Sequence, residues 1–239
     1  MDEAPVRIFV MGENKWRDEQ SWPLTRSQPT RYYLHSSGNA NTPADGTLST
    51  RAPRQEPVDS YTYDPMNPVP TRGGNMLGGG GPREQGDVEP RGDVLTFQTE
   101  ALARDIEVTG PVTVTLFAAT SVRDTDFTAK LMDVHSDGKV YNLVDGIIRA
   151  RYRNSFTDPE LAEPGAIYEY TIDLWATSNL FKKGHRIRLD ISSSNFPRFN
   201  RNPNTGNQFG MSAEVKTADQ TIYHDRDRPS HVLLPIIPR

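Results

Sequence analysis

An all-β sandwich is the fold this chain predicts, and three observations carry that reading. Short β-branched and aromatic runs recur, broken by Pro, Gly, Asn and Asp. Several of them alternate apolar with polar residues at a period of two, and convincing amphipathic helices are missing. No repeat of fixed period is visible, which disfavours a propeller or solenoid. At 239 residues the length suits one sandwich spanning 1–239.

Taken in order, Val6-Arg7-Ile8-Phe9-Val10 opens the chain as a strand. Residues 64–92 are different in kind. They hold eight Gly and five Pro, a composition unable to bury a core of its own, and read as a long irregular excursion within the domain. The clearest strand is 112–119, with Val112, Val114, Leu116 and Ala118 on one face and Pro111 marking its start. A turn at 124–126 leads into a second, in which Phe127, Ala129 and Leu131 alternate with Thr128, Lys130 and Met132. Asp137-Gly138 then supplies a hairpin turn, followed by a strand over 140–150. Further strands are expected over 167–175, 186–192 and 232–237.

Composition excludes several classes of function. There are 27 basic and 31 acidic side chains, a net charge of −4, and so no electrostatic footprint for nucleic acid. No apolar run approaches the roughly 20 residues of a membrane-spanning helix. The absence of cysteine removes disulfides, thiolate nucleophiles and zinc-thiolate sites without fixing the compartment. The acidic opening Met1-Asp2-Glu3 carries no visible signal peptide, and a start directly inside a strand suggests a piece of a longer polypeptide.

Motifs for chemistry are scarce. A nucleophile elbow needs Gly-x-Ser-x-Gly, and the nearest segment, Gly210-Met211-Ser212-Ala213-Glu214, has Glu in place of the second Gly, leaving Ser212 a loop serine. Ser192, Ser193 and Ser194 end a strand, where hydroxyls commonly satisfy backbone groups. The run Gly78 to Gly81 lacks the strand, helix and Lys-Ser/Thr pair of a phosphate loop. His35, His135, His185, His224 and His231 show no metal-binding spacing. Asp133 and Asp137 flank His135, yet strand-edge solvation explains them, and no metal or other cofactor is expected. Asp124-Thr125-Asp126 is half of a calcium loop without its Gly and distal Glu.

Two clusters rise above this background. Arg149, Arg151 and Arg153 alternate along the 140–150 strand and its continuation, which would make one face cationic. Asn195-Phe196-Pro197-Arg198-Phe199-Asn200-Arg201 forms a polar, aromatic, proline-pinned loop. Arginine, aromatic and amide groups together suit a protein interface or a sugar-binding face; the competing reading is that the arginines pair with the domain's own acids.

These clusters, with Met11-Gly12 and Trp16, Val108-Thr109-Gly110-Pro111, Asp124-Thr125-Asp126-Phe127, Asp145-Gly146, Asn195-Phe196-Pro197-Arg198-Phe199 and Ser230-His231-Val232, run in an order that resembles the C-terminal domain of the X-Pro dipeptidyl-peptidase and cocaine esterase family, over essentially the whole chain. The resemblance implies a jelly-roll β-sandwich similar to galactose-binding modules. It implies as partner a separate α/β-hydrolase domain, which in the family carries the Ser-Asp-His triad for ester or amide hydrolysis. Nothing here matches that domain, so no catalytic residue is carried over. Arg149, Arg151, Arg153, Asn195, Phe196, Arg198, Phe199, Asn200 and Arg201 become the candidate interdomain or pocket-wall contacts, with the glycine-rich excursion draped over the same junction. Two alternatives stand beside this. One is a free carbohydrate-binding module using Trp16, Trp22 and Trp175, although Trp175 reads as core. The other is a small hydrolase built from Ser192 to Ser194, Asp190 and His185.

Overall fold

The computed structural model describes residues 3–42, 45–88, 90–208, 210–211 and 213–239; Ser212 lies outside them. Strands β1 (Val6–Val10) and β2 (Lys15–Glu19) form a hairpin apart from the main sheet. Then come β3 (Gln28–His35), β4 (Thr47–Ser49), β5 (Asp59–Tyr63), β6 (Leu95–Gln98), β7 (Ile106–Thr120), β8 (Asp126–Val134), β9 (Val140–Arg149), β10 (Tyr168–Phe181), β11 (Arg186–Ser192), β12 (Ala218–Tyr223) and β13 (His231–Ile237). The pairing path runs β5-β12-β7-β13-β3-β4-β6-β11-β8-β9, with β10 on the other side of β7.

This path folds into two layers. β7 carries β10 along one edge and β13 along the other, while β6, β11, β8 and β9 form the second layer. Short β4 bridges them, antiparallel to β3 and parallel to β6. Between the layers lies one continuous core. Val112, Val114, Leu116, Tyr170 and Ile172 meet Phe127, Leu131, Leu189 and Ile191, all fully buried. The alternation read in 112–119, 127–132 and 186–192 is the alternation that builds it.

β7 departs from expectation at its start. It does not begin after Pro111 but runs through Gly110-Pro111 from Ile106, because both partner strands slip register there: β10 between Asp173 and Ala176, β13 between Leu233 and Ile236. A proline without an N–H and a glycine at φ +142 are accommodated where the ladder is already interrupted. The β10 bulge also places Trp175 at φ +67 with its side chain 68% exposed, correcting its reading as core. The hairpin turn at Asp137-Gly138 joins β8 to β9 with Gly138 at φ +87.

Among the described residues, the 64–94 segment contains no strand and lies against β8 and β9. The Arg83 N–H donates to Asn142 Oδ1 (2.7 Å) and the Gln85 N–H to the Val140 carbonyl (3.0 Å). Lys130 Nζ donates to Gln85 Oε1 (2.9 Å). That is why β8 is buried on both faces: its apolar side faces the core and its polar side faces the excursion.

Candidate functional site

Loop 195–201 leaves the end of β11 and is held against the excursion. The Phe196 N–H donates to the Val69 carbonyl (2.9 Å), the Thr71 N–H to the Phe196 carbonyl (2.7 Å), and the Arg198 N–H to Thr71 Oγ1 (3.1 Å). Arg198 reaches across to Asp145 on β9 (3.1 Å) and donates to the Asn75 carbonyl (2.8 Å). Asn195 Nδ2 donates to the other Asp145 oxygen (2.7 Å). Burial pushes the Asp145 carboxyl above its ordinary range, against the opposing pull of Arg198 and Lys130. Asn195 Oδ1 and Arg198 Nε are buried and have no hydrogen-bond partner among the described residues.

These residues frame a cavity of about 350 Å³ lined by Asn75, Leu143, Asp145, Leu174, Trp175 and Arg198 among others. Trp175 stands exposed at its edge, and exposed Phe196 belongs to the same loop as Arg198. Leu77, wholly exposed, tips the turn closed by the Gly74–Gly81 bridge. Phe199 lies under the Arg198 guanidinium at 5.1 Å, and Arg201 lies over Phe196 at 5.9 Å while donating to the Pro65 carbonyl (3.0 Å). Asn200 is exposed.

The arginine ladder is arranged differently from its sequence pattern. β9 ends at Arg149, and Ala150–Tyr152 form a 3-10 turn, so strand alternation does not extend to Arg151 and Arg153. Arg149 forks onto Asp126 (2.8 and 3.1 Å) and Arg151 Nε donates to Asp124 (2.9 Å). The Arg153 side chain is only 3% exposed, pairs with Glu160 at 3.2 Å and covers the Tyr168 ring at 4.2 Å. Buried Asp124 and Asp126 take guanidinium and Asn202 amide partners, where a calcium loop would have directed them to an ion. In place of an open cationic face, the ladder is an internal clamp of acids and arginines.

No nucleophile is assembled from Ser192, Ser193 and Ser194. Ser192 Oγ donates to the Asp93 carbonyl (2.7 Å), Ser193 meets Tyr61 and Gln220, and Ser194 accepts from the Val69 N–H (2.9 Å). His185 turns to Asp133 (2.8 Å) and Asp190 to Thr96 (3.1 Å). Two hydroxyl–imidazole–carboxylate sets that spacing does not reveal occur elsewhere. Ser49 Oγ lies 3.1 Å from His35 Nε2, with Glu56 at 2.7 Å from Nδ1, but that Nε2 donates to the Arg51 carbonyl (3.0 Å) and so has no lone pair to take a proton. Ser36 donates to Asp59 (2.7 Å) next to His224. His224 is buried; burial disfavours its charged form, but Asp59 and Glu56 raise its pKa above the ordinary value. It is an internal ion-pair partner out of substrate reach.

Among the described residues the chain is a β-sandwich that carries a built polar pocket between β9, β10, the excursion and the loop after β11. The chain belongs to the X-Pro dipeptidyl-peptidase C-terminal non-catalytic domain family, which it matches over residues 1–233. It is 49% identical over 240 residues to the cocaine esterase of Rhodococcus sp. (strain MB1 Bresler), covering 98% of this chain and 42% of that protein. Among solved structures it resembles an aminopeptidase from a marine sediment Thaumarchaeota archaeon, with a TM-score of 0.88 and 28% identity over 100% of this chain and 41% of that one. An α-amino acid ester hydrolase superposes with a TM-score of 0.86 and 30% identity, over 98% and 41% respectively. The chain therefore spans about two fifths of the length of these relatives.

Proposed function

We propose that this chain is the non-catalytic accessory domain of a serine α/β-hydrolase of the X-Pro dipeptidyl-peptidase or acyl-esterase type. In this reading it packs on the catalytic domain of its parent polypeptide, helps shape the substrate pocket and contributes to the hydrolysis of ester or amide bonds only in that way. One observation carries the docking assignment. Leu77, Trp175 and Phe196, three exposed apolar side chains from distant segments, belong to the elements that frame the Asp145–Arg198 cavity. The unpartnered Asn195 Oδ1 and Arg198 Nε support the same face, because buried polar atoms usually find partners. Arg149 and Arg151 hold the end of β9 through Asp126 and Asp124, and Arg153 holds the turn that follows through Glu160 and the Ala150 carbonyl.

The purified chain is expected to show no turnover of a p-nitrophenyl ester or an X-Pro chromogenic amide, and no labelling by a fluorophosphonate. In the parent polypeptide, Trp175→Glu is expected to lower kcat/KM about tenfold or more, since small misplacements of a pocket wall are costly. Labelled serine in the chain alone, or a parent indifferent to Trp175→Glu, would overturn the assignment. A second reading, a free carbohydrate-binding module, draws on the exposure of Trp16, Trp22 and Trp175. Retention on a glycan array, lost on Trp175→Ala, would favour it.

A further inference from the structure

β8 and β11 run antiparallel with Arg186 opposite Val134 and Ile187 opposite Asp133. One position beyond that ladder, His185 comes opposite His135. Asp133, two residues before His135, falls on the same side of the sheet. The three side chains converge there. Asp133 Oδ1 is 2.8 Å from His185 Nδ1, Asp133 Oδ2 is 3.8 Å from His135 Nε2, and the two imidazole rings lie 4.4 Å apart at 32°. One nitrogen or oxygen from each lies within 4.8 Å of the others. Asp133 is buried and the two histidines are half-buried.

We propose that Asp133, His135 and His185 bind one late first-row divalent cation, Zn²⁺ foremost. Two imidazoles with one carboxylate are a donor set for such ions, whereas Mg²⁺ and Ca²⁺ call for oxygen ligands in larger number. One carboxylate faces two imidazole rings whose centres lie 4.4 Å apart. A dication between them would take one lone pair from each ring, with Asp133 offsetting its charge. Three protein ligands leave a fourth position for water. It opens into a cavity of about 480 Å³ walled by Phe9 and Met11 of the first hairpin and by Pro82, Tyr141 and Leu180. Lys182 also lines this cavity and is exposed, so its ammonium can stay in solvent. Asn179 Nδ2 approaches Asp133 Oδ2 at 3.5 Å and Tyr141 packs on His135 at 4.8 Å, holding two of the ligands from behind. The bound ion would tie the end of β8 to the start of β11.

The test is calorimetric titration of the chelator-stripped 239-residue chain with Zn²⁺, paired with melting curves and with the visible absorption of Co²⁺ as a substitute ion. Expected are one ion per chain, d–d bands of a low-coordinate Co²⁺ site, and no melting shift with Mg²⁺ or Ca²⁺. At a hundredfold excess over Kd, Tm is expected to rise by about 5–10 °C. His135→Ala and His185→Ala should each weaken binding by about 100-fold, and His231→Gln should leave it unchanged. His135 is the more exposed of the pair, so its variant decides the matter even if the other folds poorly. Absence of saturable binding below about 100 µM, or equal affinity in His135→Ala, would overturn the site.

Discussion

Glu107 is buried on β7 and receives five hydrogen bonds: two from Arg17, two from Arg239 and one from Thr109. Burial alone would raise its pKa, but the donors win and hold it at about 2. Because the folded value lies below the ordinary 4.5, the stabilisation is fully present above pH 4.5 and fades as pH falls towards 2. Glu107→Gln is expected to cost about 2 kcal/mol at pH 7, less than for a fully buried pair because both arginines are partly exposed. Urea melts across that acid range check it: the gap between wild type and variant should narrow on acidification, and a gap independent of pH would contradict the assignment. Nothing in the chain marks Glu107 beforehand, since Arg17 and Arg239 lie 90 and 132 residues away. Of the proposed metal ligands, Asp133 and His135 are neighbours in the chain and their spacing is visible, whereas His185 arrives across the sheet from the residue preceding β11, where spacing along one strand does not reach.

Strands were legible where one face alternates. Residues 186–192 coincide with β11, and the cores of β7, β8 and β13 fall where the apolar period places them. β2, β3, β4, β5, β6 and β12 were not visible, being short or polar. Reading Arg149, Arg151 and Arg153 as one face failed because a strand period was extended through a 3-10 turn. Gly146 shows what a strand pattern hides. On β9 it sits so close to β10 that an added Cβ would lie 2.0 Å from the Asp173 carbonyl oxygen, directly beside the bulge that exposes Trp175. Ordinarily Gly to Ala within a strand is mildly stabilising. Here Gly146→Ala is expected to destabilise by about 2–3 kcal/mol and to shift the fluorescence of Trp175 as the layers move apart. A calorimetric scan with emission spectra tests this, and an unchanged Tm would show that β10 yields without strain.

At the scale of the molecule, the sandwich and the excursion have different tasks. The fold and the family were legible because ordered motifs, from Met11-Gly12 to Ser230-His231, sit at turns, at strand ends, at the bulged stretch of β7 and at the close approach of Gly146 to β10, where backbone geometry restricts residue choice. The excursion was recognisable only as something that cannot form a core, and its attachment to β8 and β9 through Arg83, Gln85 and Lys130 follows from pairing that composition does not encode. That attachment divides it into a packed base and a projecting tip, which is tied back through the Arg198 bond to the Asn75 carbonyl. Val69, Val88 and Val94 form a small apolar cluster of their own, whereas residues 75–80 project beyond the paired Gly74 and Gly81, whose backbones exchange hydrogen bonds of 2.8 Å. Replacing 75–80 by Asn-Gly, a two-residue turn suited to that pair, should therefore leave the Tm of the isolated chain within about 2 °C. If the tip lies over the catalytic domain as proposed, the same replacement in the parent polypeptide lowers kcat/KM by about tenfold or more. Equal activity with equal stability would place residues 75–80 outside the junction and leave Trp175 and Phe196 to form it.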